Sequence, residues 1–259
     1  MIASRVPLLS LRQITKRFGA VEALVGVDLD VYAHQVVALV GDNGAGKSTL
    51  AKVISGVLQP DSGLIEIDGD AQTIASPSAA HTLGIATVFQ DLALCGNLDV
   101  TSNIFLGREL TDGGLLDDGQ MEQVARRLLL DLTSRIPSVR TPLSELSAGQ
   151  RQAVAIARTL IGSPRLVVLD EPTAALSVAQ TAEVLTYIER LRELGHGVIL
   201  ISHNMNDVRA VSDRIVVLRH GRNNGSFDAA TASYESILAA ITGATSPDDE
   251  MVRRMAAFR

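Results

Sequence analysis

Eight consecutive residues, Gly41-Asp42-Asn43-Gly44-Ala45-Gly46-Lys47-Ser48, carry the most specific chemistry in the chain. They satisfy the pattern G-x-x-x-x-G-K-[ST] at every fixed position. Such a loop cradles phosphates on its backbone N–H groups. Glycines at 41, 44 and 46 allow tight turning and close approach to a ligand, with no Cβ in the way. A helix opening just after the loop adds partial positive charge at its N-terminus. Lys47 is expected to reach the β- and γ-phosphates of a nucleotide, and the Ser48 hydroxyl to ligate Mg²⁺. Asn43, Ala45 and Thr49 complete the expected contacts of this loop.

Two acids supply the complementary chemistry. The apolar run Leu166-Val167-Val168-Leu169 ends in Asp170-Glu171. A carboxylate at the end of such a strand can hold Mg²⁺, which assigns Asp170 to the metal. Its neighbour, Glu171, is placed to take a proton from an attacking water. Two acids solvating a strand end would be the blander account. The Lys47-Ser48 loop already requires a metal partner, and that tips the balance.

Three further residues stand at the ends of expected strands. Gln90 follows the apolar stretch Ile85 to Phe89, and His203 follows Val198 to Ile201. Ligands bind at the carboxyl ends of strands in open α/β sheets. Gln90 can coordinate a metal or orient a water, and His203 can contact a γ-phosphate. Phe18 precedes a turn at Gly19-Ala20 and offers an aromatic face on which a base can stack. Taken singly, each also reads as an ordinary surface or packing residue. Leu146-Ser147-Ala148-Gly149-Gln150 leads into the amphipathic helix Arg151 to Leu160, with Ser147 as its N-cap. The N–H groups of residues 148 to 150 are expected to stay unpaired there, making a second anion site.

The elements that position these groups follow from periodicity. Val36 to Val40, Leu166 to Leu169, Val198 to Ile201 and Ile215 to Leu218 are short, β-branched and apolar, as buried parallel strands are. Residues 7–31 read as strands, with Leu24 to Val31 alternating, and residues 62–68 alternate and read as an edge or hairpin strand. Residues 91–146 change to helical patterning. Met121, Val124, Leu128 and Leu132 share one helical face there, and Asp112-Gly113-Gly114 breaks the segment before it. The sheet pattern resumes afterwards, so this is an insert within one domain. Tyr234 to Ile241 reads as a last helix, and the polar stretch from Thr245 as a frayed tail.

The whole chain has 259 residues, 46% of them hydrophobic, enough for one large α/β domain. A net charge of −6 disfavours a nucleic-acid-binding surface. The single cysteine, Cys95, cannot form an internal disulfide and suits a reducing compartment. No apolar run reaches the roughly 18 to 20 residues that span a bilayer. Any membrane span must therefore come from another polypeptide.

In this order, the phosphate loop, Gln90, Leu146-Ser147-Ala148-Gly149-Gln150, the Leu166 to Glu171 strand, Ala174 to Ser177 and His203 resemble the ATP-binding subunit of ABC transporters. The match runs from about Leu8 to Gly243. The Leu-Ser-x-Gly-Gln helix start is its most particular element. The resemblance implies an α/β P-loop NTPase of RecA-like core with a parallel sheet, an N-terminal antiparallel β subdomain and a helical insert at about 91–155. A single domain would occupy 1–243 and a polar tail 244–259. It makes Phe18 the adenine-stacking aromatic, Gln90 the Q-loop glutamine and His203 the switch histidine. It implies ATP and Mg²⁺ as ligands. Two such subunits would pack head to tail, with ATP between the phosphate loop of one and Ser147, Gly149 and Gln150 of the other. A membrane permease would be the mechanical partner, at the cytoplasmic face, with a solute-binding protein acting indirectly. Asp170-Glu171-Pro172-Thr173-Ala174-Ala175-Leu176-Ser177 is similar to the monosaccharide importer branch. Two positions depart from the family: Ala148 replaces the first signature glycine, and Ser177 the D-loop Asp.

Other classes fit less well. Soluble ABC ATPases of DNA repair or translation carry paired units, long coiled coils or basic surfaces. A non-hydrolysing module is hard to reconcile with intact Lys47, Ser48, Asp170, Glu171 and His203. An exporter subunit would share the same motifs.

Overall fold

The computed structural model describes residues 6–244, so the expected polar tail from Thr245 lies outside the described residues. β1 (Leu9–Phe18) and β2 (Val21–Val31) form an antiparallel hairpin that turns at Gly19-Ala20. β3 (Val36–Val40) then enters the core and leads through the phosphate loop into α1 (Lys47–Ile54). The chain returns to the first sheet with β4 (Ser62–Ile67) and β5 (Asp70–Gln72), which closes it in the order β2-β1-β4-β5. One face of this sheet is apolar and fully buried, through Leu9, Leu11, Ile14, Leu24, Val27 and Val31. It packs on α1 and on the near face of the second sheet.

After the short α2 (Pro77–Thr82), β6 (Ile85–Val88) joins the second sheet. The insert follows, with α3 (Val100–Phe105), β7 (Thr111–Asp112), β8 (Leu115–Leu116), α4 (Asp118–Asp131) and α5 (Ala148–Leu160). The chain then alternates β9 (Leu166–Asp170), α6 (Val178–Glu193), β10 (Gly197–Ile201), α7 (Met205–Val211) and β11 (Arg214–Arg219). It ends with β12 (Arg222–Asp228) and α8 (Tyr234–Thr242).

The second sheet has six strands in the order β12-β11-β3-β10-β9-β6. Five of them run parallel. Their side chains alternate between two buried faces. Val37, Leu39, Ile199, Ile201 and Val168 meet α1 and the first sheet. Val36, Val198, Leu200, Val167 and Leu169 meet α5, α6 and the insert. Burial on both sides is why these strands read as unbroken apolar runs.

The structure adds detail to three expectations. Ile215–Leu218 lies in the last buried strand of the sheet, and β12 extends it as a largely exposed antiparallel edge strand paired with β11. Its sequence, Arg-Asn-Asn-Gly-Ser-Phe-Asp, is polar because an edge needs little burial. Asp112-Gly113-Gly114 does break the segment, and it does so as a hairpin turn. Gly113 and Gly114 take φ of 57° and 85°, turning β7 back onto β8. In α4 the expected face is borne out: Met121 and Leu132 are buried, Val124 and Leu128 pack half-buried against the same core, and Ala125 and Leu129 widen the buried stripe.

Candidate nucleotide site

The phosphate loop is held by backbone geometry. Gly41 has φ 149°, and a Cβ there would lie 2.2 Å from the Leu218 carbonyl oxygen. Gly46 has φ 104°, and a Cβ would lie 2.6 Å from the Ala23 carbonyl oxygen. No other residue fits either place. At Gly44 nothing lies within 4 Å of a Cβ, so this glycine faces the open cleft. No side chain caps α1 after Gly46, and no acid stands in its first turn. Its N-terminal N–H groups are therefore unopposed positive ends. Lys47 is buried, and its ammonium donates to the carbonyls of Gly41 (2.7 Å) and Asp42 (3.0 Å). An ammonium has three donors, so a third remains for a ligand oxygen.

A cleft of about 480 Å³ opens over this loop. It gathers Phe18, Asn43, Gly44, Gly46, Lys47, Ser48, Thr49, Gln90, Glu171 and His203 into one place. Gly41 and Ala45 stand behind them as a buried wall, with the Gly221 N–H donating to the Ala45 carbonyl. Phe18 sits at the end of β1 with its ring 47% exposed, beside the Lys16 ammonium at 5.9 Å. Ala174 also lines the cleft, as do Val21, Glu22 and Ala23, three residues that sequence reasoning did not single out. These three directly follow the hairpin turn that carries Phe18.

Register brings the acid and the histidine together. β10 pairs with β9 so that Ile201 opposes Asp170. The next residues, Glu171 and Ser202, leave the sheet side by side. The Glu171 N–H donates to the Ile201 carbonyl at 2.9 Å. His203 Nδ1 lies 2.8 Å from Glu171 Oε2, so Nδ1 carries the proton when Glu171 is ionised. Glu171 itself has φ 52°, a left-handed conformation rare for a non-glycine residue.

Asp170 is only 8% exposed, and its Oδ1 has no hydrogen-bond partner among the described residues. Burial pushes its carboxyl up from the ordinary value, helped by the negative charge of Glu171 and opposed by the Ser48 hydroxyl and Lys47. An orphaned buried carboxylate oxygen beside a serine hydroxyl fits a divalent cation. Among the described residues no cluster of three or more His, Cys, Asp or Glu could hold a metal alone. That suits Mg²⁺, which is bound by one or two protein groups together with substrate phosphates and water.

The second anion site lies elsewhere. Ser147, Gly149 and Gln150 do not line the cleft. Ser147 caps α5 by accepting the Gln150 N–H at 3.2 Å, and the Gln150 side chain accepts the Ser147 N–H at 3.0 Å. The expectation of three unpaired N–H groups is therefore corrected, since the capping box uses that of Gln150. Gln150 Nε2 also donates to the Arg135 carbonyl. Its side chain holds the helix start in place. Gly149 is buried against α6, where a Cβ would lie 3.0 Å from Glu183 Oε2. Ser147 and Ala148 remain exposed. Ser177 caps α6 with a second capping box, through Gln180.

Two polar side chains, one buried and one half-buried, shape the loop after Gln90. Asn103 is fully buried; it accepts the Cys95 N–H and donates to the carbonyls of Cys95, Leu98 and Asp99. Arg158 donates to the carbonyls of Leu92 and Ala93, and burial and Arg108 push its guanidinium below its ordinary value. A groove of about 320 Å³ lies beside this loop, lined among others by His81, Phe89, Leu106, Arg108 and Arg158.

A family profile described as ABC transporter matches residues 24–174, from the wall of the cleft through the acids of β9. The chain belongs to the ABC transporter family. Among relatives, the xylose/arabinose import ATP-binding protein XylG of Sulfolobus acidocaldarius is 46% identical over 83% of this chain and 86% of its own length. The fructose import ATP-binding protein FrcA of Rhizobium meliloti is 40% identical over 95% of this chain and 98% of its own. The ribose import ATP-binding protein RbsA 1 of Rubrobacter xylanophilus is 44% identical over 86% of this chain, which spans 44% of that relative's length. A dimeric ATP-binding cassette bound to ADP and Pi superposes with a TM-score of 0.72 at 25% identity, covering 85% of this chain and 98% of that one. The fold is thus that of ABC ATPase cassettes. Among the described residues, no helix is long and apolar enough to cross a membrane.

Proposed function

We propose that this chain is the ATP-hydrolysing subunit of an ABC importer for a monosaccharide. The carrying observation is the convergence of Lys47, Ser48, Gln90, Glu171 and His203 on one open cleft. The loop and the α1 N-terminus bind the triphosphate, and Phe18 supports the adenine by stacking. Ser48, Asp170 and Gln90 would hold Mg²⁺, which would neutralise charge on the phosphate oxygens. Glu171 takes the proton of the attacking water, and His203 fixes the orientation of its carboxylate.

The cleft over the phosphate loop is open, and the exposed Ser147 and Ala148 do not line it. This arrangement supports a head-to-tail pair, most simply of two identical chains, in which the partner's helix start covers the nucleotide. Loss of the bridging γ-phosphate then lets the pair open. The loop Asp91 to Val100 and the groove beside it, with the two guanidiniums of Arg108 and Arg158, support docking of a membrane permease. A solute-binding protein would act through that permease, at the far side of the membrane. The xylose, arabinose, fructose and ribose named for the relatives support a pentose or hexose as cargo, selected by the permease.

The test is ATP turnover by the purified chain and its E171Q variant. Wild type should hydrolyse ATP. E171Q should not, and should elute as an ATP-bound dimer in size-exclusion chromatography. A variant that hydrolyses normally, or stays monomeric with Mg-ATP, contradicts the proposal. Co-purification with a polytopic membrane protein separates import from a ribosome- or DNA-associated role.

A further inference from the structure

We propose that Thr173 and Asp207 form a positioning clamp that keeps Glu171 and His203 in register. The inference rests on the reading of Glu171 as the base. Glu171 and His203 leave neighbouring strands side by side, but their chains then diverge, one toward α6 and the other into α7. Two side-chain hydrogen bonds join the diverging segments. One is the Glu171–His203 contact itself. The other lies two residues beyond Glu171 and four beyond His203, where the Thr173 hydroxyl donates to Asp207 Oδ2 at 2.7 Å.

This second bond is built to be firm. Asp207 is only 6% exposed, and a charge-assisted hydrogen bond away from water is stronger than a neutral one. Asp207 sits in the first turn of α7, which Asn204 caps through the Asn206 N–H and which Val208 anchors in the core. Thr173 is thereby tied to a fixed helix. From Glu171 to Leu176 the chain is a run of tight turns. The Ala174 N–H donates to the Glu171 carbonyl at 3.1 Å, and the Leu176 N–H to the Thr173 carbonyl at 3.3 Å. Displacement at Thr173 reaches Glu171 directly.

Glu171 needs such support. Its φ of 52° is sparsely populated, and a strained residue persists only where its surroundings over-determine it. Freed of the clamp, Glu171 can relax toward an ordinary conformation and carry its carboxylate away from His203. Small misplacements of a catalytic group cost large factors in rate. A plainer role for Asp207, stabilising the N-terminus of α7, predicts a change in melting temperature with no change in turnover.

The experiment measures kcat and KM for ATP with the full chain, alongside thermal unfolding. T173V, which removes the hydroxyl at constant shape, should lower kcat about tenfold with KM within about twofold. T173S should restore most of the rate. D207N, which keeps the shape but weakens the acceptor, should lower kcat about threefold, and it stands in if T173V folds poorly. In an H203A background, T173V should change kcat less than about twofold, since the register it protects is no longer used. Unchanged kcat in T173V and D207N, with E171Q inactive, overturns the clamp alone. So does a loss in T173V that T173S fails to restore. Normal hydrolysis by E171Q overturns the assignment of the base, and the clamp with it.

Discussion

Replacing Asp170 by Asn should make the protein more stable in the absence of Mg²⁺ and remove its stabilisation by Mg²⁺. Asp170 is buried, with one oxygen lacking any partner. Leaving a charged acceptor unsatisfied away from water costs about 1–3 kcal/mol. The Ser48 hydroxyl and Lys47 recover part of this, but the carboxyl still lies above its ordinary value, so the net charge is a burden. A net gain of about 1 kcal/mol in D170N corresponds to a rise of about 2–4 °C in Tm for a domain of this size. Acidification provides an independent check. The folded state keeps its proton at pH values where the unfolded chain has lost it. Wild-type stability from this site is therefore complete below 3.8 and is lost as pH rises through the raised folded value. D170N has no such slope, so the gap between the two should close as the pH is lowered. In wild type, Mg-ADP at about 100 times its Kd should add about 2.7 kcal/mol. In D170N, Mg²⁺ should add little to what ADP does alone. Differential scanning calorimetry in EDTA, in ADP and in Mg-ADP measures all three. A D170N protein melting below wild type in EDTA would refute the reasoning, since the carboxylate would then be contributing stability and not consuming it.

Removing the ring of Phe18 with F18A should raise the KM for ATP about 5- to 100-fold, the loss of one base–aromatic stack, with kcat nearly unchanged in steady-state kinetics. N103A deletes four hydrogen bonds inside the loop that follows Gln90. It should cost about 3 kcal/mol and lower Tm by about 6–12 °C in a thermal melt. S147A removes the acceptor that caps α5, which should cost about 1 kcal/mol in urea unfolding. If Ser147 also faces the partner's nucleotide, S147A in the E171Q background should weaken the ATP-bound dimer in size-exclusion chromatography.

The chemistry of the phosphate loop was legible because it is contiguous. Gly41, Gly44, Gly46, Lys47 and Ser48 do their work within eight residues, and glycines at fixed spacing announce a backbone that other residues cannot adopt. The central strands were legible for a related reason. Burial on both faces demands apolar residues at every position, as in Val36 to Val40. Burial also explains what was missed. β12 carries almost no apolar pattern, because an edge strand is specified by its partner β11.

Side-chain duties beyond the motifs were decided by contacts between distant segments. Gln150 looked like part of an anion site, yet its side chain is engaged by Ser147 and Arg135. Gly149 admits Glu183 from α6. Thr173 and Asp207 carry no pattern until β9 and β10 pair in register and turn their loops toward each other. The local sequence thus determined which groups can bind phosphate, hold a cation and accept a proton. Which of them meet, and which are spent on holding others still, was decided by strand register and burial, because those depend on residues far apart in the chain.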